Sequence, residues 1–255
     1  MHRNKRYPRL IILFLCGLQL LAGSVFAADR LFDASIDTGL PAPLTEYFTV
    51  LEDQSSTLTL ADVQRPEIAS GFKTNPSSAE ALNLGYSSSA FWLRLTLRNN
   101  SALPVERMLE ISYALLSGVQ FHHPLANGTY QSVAIGSMMP FSTRPYSNRN
   151  FVFPVTLPAH SDQVVYLRIH SIDSIIVPAR LWEPQAFHAY ERNDYNSQSL
   201  YFGMVIAMVL FNLLLFIALL DVIYLLYVSF AFCAALTLAA QNGLAHEFLW
   251  PAATQ

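Results

Sequence analysis

The chain has 255 residues, 53% of them hydrophobic and only 13% charged, with a formal charge of −3. An acidic balance of this kind argues against nucleic acid or an anionic lipid surface as a partner. Of its two cysteines, Cys16 and Cys233, the first lies in a segment expected to be removed, which excludes an intrachain disulfide in the mature protein.

The N-terminus reads as an export signal. Arg3, Lys5, Arg6 and Arg9 form a basic stretch, and Leu10 to Ala22 is an apolar run too short to span a bilayer. Val25 and Ala27 are the small residues a signal peptidase reads, so cleavage is expected after Ala27 and the signal covers 1–27. Cys16 follows Leu15 rather than a small residue, which excludes a lipoprotein anchor. Removing four positive charges takes the formal charge from −3 to about −7.

Residues 28–185 carry short runs with period-two alternation, bounded by Gly, Pro, Asn and Ser, the pattern of an all-β sandwich or barrel. The clearest strand is Ala90 to Asn99. Phe91, Leu93, Leu95 and Leu97 point one way, and Trp92, Arg94, Thr96 and Arg98 the other. Leu109, Ile111 and Tyr113 alternate likewise, as do Val119 with Phe121, Phe151 through Leu157, and Val165 through Ile169. Asn127-Gly128 suits a tight hairpin turn because both residues tolerate positive φ. Pro154 and Pro178 cannot donate to a ladder and are expected at edges or bulges.

Residues 186–199 read as a polar connector whose Glu191, Arg192 and Asp194 lie at a membrane–water boundary. Two apolar stretches follow, 200–220 and 222–240, each about 20 residues and long enough to cross a hydrocarbon core. Asp221 separates them and marks a tight turn, expected on the cytoplasmic side because the signal places the β region outside. Residues 241–255 then begin a further outer loop or span. Asn212 is the strongly polar residue at mid-depth of the first stretch, expected to hydrogen-bond a neighbouring helix.

No arrangement argues for catalysis or for a cofactor. His122, His123, His160, His170 and His188 lack the spacing of a zinc site and have no nearby cysteine. Ser87-Ser88-Ser89 lacks a nucleophile elbow and reads as a solvated turn, and Glu52-Asp53 is a carboxylate pair of a kind common in any chain. Binding has more support. Trp92, Arg94 and Arg98 share a strand face, and an aromatic ring flanked by guanidinium forks suits a sugar or a carboxylated ligand. The bland reading buries Trp92 under a loop and makes the arginines structural. Arg144 and Arg149 lie in a loop around Pro145-Tyr146, where recognition is common. The expected ligand-binding set is therefore Trp92, Arg94, Arg144 and Arg149, with no catalytic residue and no metal ligand.

Tyr201-Phe202-Gly203 through Asn212 to Phe216, then Tyr224-Leu225-Leu226-Tyr227, then Asn242-Gly243-Leu244 to Leu249-Trp250-Pro251, resemble the opening of a known membrane domain. It is that of the bacterial seven-transmembrane receptors with diverse intracellular signalling modules. Leu84-Gly85-Tyr86, Ala90 to Arg94, Arg98-Asn99, Pro140-Phe141-Ser142 with Arg144-Pro145, and Phe151 to Pro154 before Leu157-Pro158 resemble that family's type 2 extracellular domain. The chain departs from it at Ser137, after Gly136, where the family often has an acid. The resemblance implies a jelly-roll sandwich similar to carbohydrate-binding modules, feeding a seven-helix bundle in the inner membrane. It also implies five further spans and a cytoplasmic cyclase or kinase output beyond this sequence, which makes the chain a fragment. The expected function is a ligand-sensing input module, not an enzyme, that binds a saccharide or small carboxylated molecule on the periplasmic side. The alternative is an assembly module that docks a protein or forms a homodimer without a small ligand.

Overall fold

The structure, a computed structural model, describes residues 30–74, 80–125 and 127–252; the expected export signal, 1–27, lies outside them. The early strands are β1 (Leu31–Asp33), β2 (Ala42–Pro43), β3 (Thr49–Asp53), β4 (Lys73–Thr74) and β5 (Leu82–Gly85). Next come β6 (Ala90–Asn99), β7 (Val105–Ile111), β8 (Gly118–Pro124) and β9 (Tyr130–Ile135). The last are β10 (Phe151–Leu157), β11 (Ser161–His170), β12 (Ile175–Val177) and β13 (Ala179–Trp182). Two short helices, α1 (Leu60–Val63) and α2 (Pro66–Ala69), interrupt the strands, and α3 (Pro184–Leu219), α4 (Val222–Gln241) and α5 (Leu244–Phe248) follow them.

The strands form the expected sandwich. The larger sheet runs β4-β3-β6-β11-β8-β9, and β1 adds parallel to β6. β6 is long enough to share one edge between two partners: β3 takes Ala90 to Arg94, and β1 takes Thr96 to Arg98. The smaller sheet runs β10-β7-β13-β2. Leu93, Leu95, Leu97, Phe121 and Leu167 from the larger sheet meet Leu109, Ile111, Phe153 and Leu181 from the smaller in one buried core. The rings of Phe121 and Phe153 touch across it, centroids 4.6 Å apart. Every inward position expected from the alternation of β6 is in this core. Pro154 is in β10, an edge strand, where its missing N–H breaks no ladder.

Three expectations need correcting. The β8–β9 connection is a five-residue loop, 125–129, in which Gly128 has φ 81° and Asn127 does not have positive φ. Asn127 instead accepts from Thr129 through its side chain. The polar connector is not a separate piece: α3 is one helix of 36 residues, about 54 Å long, capped by Glu183 with Pro184 in its first turn. Asn212 donates to the Met208 carbonyl of its own helix at 2.9 Å rather than to a neighbour. Both α3 and α4 are long and apolar enough to cross a membrane, and the turn between them falls at Leu220–Asp221. Asp221 caps α4 by accepting from Ile223, which explains a carboxylate at that point.

The outer face of the larger sheet is partly roofed. Thr59 and Asp62 form a reciprocal cap that starts α1. Leu58, Leu60, Val63, Ile68 and Phe72 from this segment then cover Trp92 and Tyr166. His122 stacks on Trp92 at 5.5 Å and meets Ser132 Oγ through Nδ1 at 2.6 Å. Burial, helped by the Arg168 charge, holds its pKa down at about 4. The folded state therefore favours neutral imidazole, and the unfolded chain takes up the extra proton between pH 6.5 and about 4. Stability is full above pH 6.5 and falls as pH drops through that window, by roughly 2 kcal/mol after solvent screening is discounted. Thermal unfolding from pH 7.5 to 4.5 is expected to show a flatter pH dependence for His122→Asn than for the unaltered chain; equal slopes would refute this assignment.

Candidate functional site

One end of the smaller sheet is buried on both faces, because the base of α3 lies against its outer side there. Met108 of β7, Val152 of β10 and Trp182 of β13 pack with Phe187 of α3, joined by Tyr146 and Tyr190. Trp182 stacks on Tyr190 at 4.7 Å. Glu110, next to Met108, is 1% exposed. It accepts from Asn150 Nδ2 and from Trp182 Nε1, both at 2.8 Å. Burial pushes its pKa up and these donors partly counter that.

From this apolar seat a polar junction extends along one face of α3. Phe187, Glu191, Asp194 and Tyr195 are spaced at helical repeats and so point the same way. The loop before β10 meets them. Tyr146 donates to Glu191 Oε2 at 2.7 Å, and Asn148 Nδ2 to Oε1 at 2.7 Å. Arg149 places Nε and Nη2 on the two oxygens of Asp194, at 2.8 and 3.0 Å. Its Nη1 donates to the Asn242 carbonyl at the end of α4, at 3.1 Å. The Arg149 amide donates to the Tyr195 hydroxyl, and that hydroxyl donates to Glu247 of α5 at 2.7 Å. One arginine thus ties the sandwich to both long helices. Gly243, φ 77°, makes the approach fit: a Cβ there would come within 2.7 Å of the Arg149 carbonyl and of the Ala114 Cβ.

Arg144 shapes the loop that presents Arg149. Its guanidinium lies over the rings of Phe141 and Phe151, 4.6 and 4.8 Å from their centroids. Through Nη1 it donates to the carbonyls of Asn148, Arg149 and Asn150, and Nη2 faces His246 of α5 at 3.3 Å. Burial lowers its pKa to about 10, partly offset by Glu247. Burial, again, holds the His246 proton affinity below its usual value and raises that of Glu247.

The four residues expected to bind ligand do not form one site. Trp92 is 1% exposed beneath the α1–α2 roof, because a distant segment covers the outward face of β6. Arg94 is half-buried at the edge of that roof, its guanidinium over Phe72 at 4.6 Å and its Nε donating to Thr49 Oγ1. Arg144 and Arg149 are at the helix junction, where Arg149 bonds Asp194 and the Asn242 carbonyl and Arg144 bonds loop carbonyls through Nη1, its buried Nε having no acceptor among the described residues. Arg98 pairs with Asp162 at the surface, both contacts 2.6 Å. Tyr195, His246 and Glu247 belong to the junction and were not singled out by sequence; the stripe Phe187, Glu191, Asp194, Tyr195 was the available signal. Glu52 and Asp53 do structural work, accepting from Ser89 and from Ser55 with the Leu58 amide. Among the described residues no cluster of histidine, cysteine and carboxylates suits a metal ion.

Comparison with known proteins identifies two families. The 7TMR-DISM extracellular 2 description matches residues 45–183, and the 7TM diverse intracellular signalling description matches 194–255. Nothing among curated proteins matches. Among solved structures, the chain is similar to chitosan-binding module 1 of a chitosanase/glucanase from Paenibacillus sp. IK-5, with TM-score 0.29 and 10% identity. That match covers 56% of this chain and 98% of the other. It is also similar to the family 32 module of C. perfringens NanJ solved with galactose, with TM-score 0.22, 15% identity and coverages of 55% and 97%. A family 6 carbohydrate-binding module gives TM-score 0.21, 10% identity and coverages of 60% and 95%.

Two arginine–aspartate pairs of matching geometry differ in burial, and that sets their worth. Side chains of Arg149 and Asp194 are 13% and 18% exposed, against 40% and 45% for Arg98 and Asp162. Arg149→Ala leaves Asp194 half-shielded without a counter-charge and is expected to cost roughly 2 kcal/mol, about 5 °C in Tm. Arg98→Ala is expected to leave Tm within error. Thermal unfolding of the whole chain in detergent, followed by tryptophan fluorescence, measures both; equal shifts would show that the junction is no more than a surface contact.

Proposed function

The chain belongs to the 7TMR-DISM family, joining its extracellular 2 domain to its membrane domain, and on that premise we propose that it is the ligand-sensing input module of a bacterial inner-membrane receptor. The sandwich lies in the periplasm and takes a saccharide or small carboxylated ligand. Occupancy biases the helices between two arrangements, which requires different affinities for the ligand in the two states. A cytoplasmic output that this sequence does not contain would read the helix positions, and no enzymatic step is assigned to the residues present.

The observation that carries this reading is the Arg149 junction. A sensor must hold its ligand domain rigidly enough to pull on the spans. Here a single side chain bonds Asp194 of α3 and the Asn242 carbonyl at the end of α4. The polar base of α3 gives about 24 Å of helix outside a roughly 30 Å hydrocarbon core, and the sandwich grips it there from Phe187 to Tyr195. A domain merely tethered to the membrane would need neither the shared helix nor the shared arginine.

Two measurements test it. In a background lacking Cys16 and Cys233, Ile36→Cys on the sandwich surface is expected to react with a membrane-impermeant maleimide on intact spheroplasts. Asp221→Cys at the turn is expected to react only after permeabilisation. The opposite pattern would put the sandwich in the cytosol and end the sensor reading. Calorimetry of the whole chain against neutral sugars, acid sugars and small carboxylates is expected to yield a ligand. If none binds while crosslinking in membranes captures a specific protein at the Arg94 face, the assembly role is the correct one.

A further inference from the structure

The roof over the larger sheet stops short. Tyr166 of β11 is beneath it, but Arg168 and His170 continue along the same outward face beyond its edge. There Arg168, His170, Tyr86 and a rim of serines wall a groove of about 720 Å³.

The groove is held in shape by unusual local structure. Ser56 adopts φ 55°, a left-handed conformation that costs a residue with a Cβ and persists only where its surroundings enforce it. Its carbonyl accepts from Arg168 Nη2 at 2.7 Å, its hydroxyl donates to the Ser88 carbonyl at 3.3 Å, and the Ala90 amide donates to that hydroxyl at 3.0 Å. One strained serine thereby joins the loop after β3, the loop before β6 and the arginine of β11. His170 is fixed as well. Its ring lies over Gly118, directly opposite in the ladder, where a Cβ would come within 2.1 Å of the imidazole.

The electrostatics of the groove are one-sided. Arg168 forms no ion pair among the described residues, and its Nε is shielded from solvent without an acceptor. Among the described residues no carboxylate walls the groove. Glu52 is taken by the Ser89 hydroxyl at 2.7 Å, and Asp173 is exposed outside the lining. Burial and the Arg168 charge together hold His170 below its usual proton affinity. At the rim, Tyr86 is 82% exposed and Ile172 74% exposed.

We propose that this groove is the ligand site of the sensor and that it takes a sugar bearing a carboxylate. Arg168 and His170 hold the carboxylate, the Ser87 and Ser88 hydroxyls bond ring hydroxyls, and Tyr86 lies against the apolar face of the ring. A guanidinium without a counter-ion gains most from a bidentate anion, and an exposed tyrosine face gains from a pyranose. The proposal rests on the sensor reading and narrows its ligand from sugars and carboxylates in general to acid sugars.

The test is calorimetry on the whole chain in detergent, with D-galacturonate, D-glucuronate and N-acetylneuraminate set against D-galactose and D-glucose. At least one acid sugar is expected to bind about tenfold or more tightly than the neutral sugars. Ser88→Glu, which adds an exposed negative charge to the rim, is expected to weaken that binding by about tenfold or more with Tm unchanged. Arg168→Gln, which also takes a donor from the Ser56 carbonyl, should weaken binding as much, and the surface change Arg98→Ala should leave the affinity as it was. Neutral sugars binding as well as acid ones, or no acid sugar binding, overturns the proposal. Acid-sugar binding that survives both Ser88→Glu and Arg168→Gln overturns the groove while leaving the sensor reading intact. Binding that these variants abolish, but that leaves the labelling rate of Ser197→Cys on α3 unchanged, upholds the groove and removes the relay instead.

Discussion

The helix α3 has to satisfy two solvents at once, and the rest of the molecule follows from that. Its C-terminal part is too apolar for water, and its N-terminal part is too polar for lipid. The polar part is still not surrounded by water on all sides: Phe187 is fully buried, and Glu191, Asp194 and Tyr195 are partly buried. The smaller sheet of the sandwich supplies the missing surface, with Met108, Val152 and Trp182 for the apolar residue and the loop before β10 for the charged ones. Burying Glu110 in that interface is tolerable only because an indole N–H and an amide both reach it.

This seat makes the two faces of the sandwich unequal. The smaller sheet gives the Met108, Val152 and Trp182 part of its outer face to the helix, and Glu106, Pro154 and Thr156 stay exposed. On the larger sheet a roof built from α1 and α2 covers part of the outer face and leaves the rest open beside Arg168 and His170. Between the two faces the core is close-packed, with Phe121 and Phe153 touching ring to ring. Cores of that density deform little. In the proposed sensor, a change on the open face would be passed on as displacement of the opposite sheet, with Arg149, in the loop before β10, bonded to α3 and to the end of α4.

The strands of the sandwich were legible because period two has a single physical meaning where one face is buried. The inward residues of β6, β8, β10 and β11 can be read directly from the chain. The two apolar helices were legible because no soluble environment rewards two adjacent apolar runs of that length. Reading the site from the same alternation failed at Trp92 for an identifiable reason. Alternation says which residues leave the core, but a segment some 30 positions earlier decides whether they reach water. Arg144 and Arg149 were rightly placed in a loop, yet their partners are carbonyls within that loop and residues on helices up to about a hundred positions away.

What the amino-acid order settles alone is local: alternating strands, two apolar helices, a carboxylate capping the turn between them and an apolar-to-polar gradient along α3. Each depends on the period of the backbone and on transfer of side chains between water and an apolar medium, so neighbours in sequence suffice. What tertiary structure decides is which outward-facing polar groups find partners. It couples Arg149 to Asp194 and, among the described residues, gives Arg168 no ion pair. That outcome depends on distances between segments far apart in the chain, and the strength of a charge depends on how much water those segments exclude.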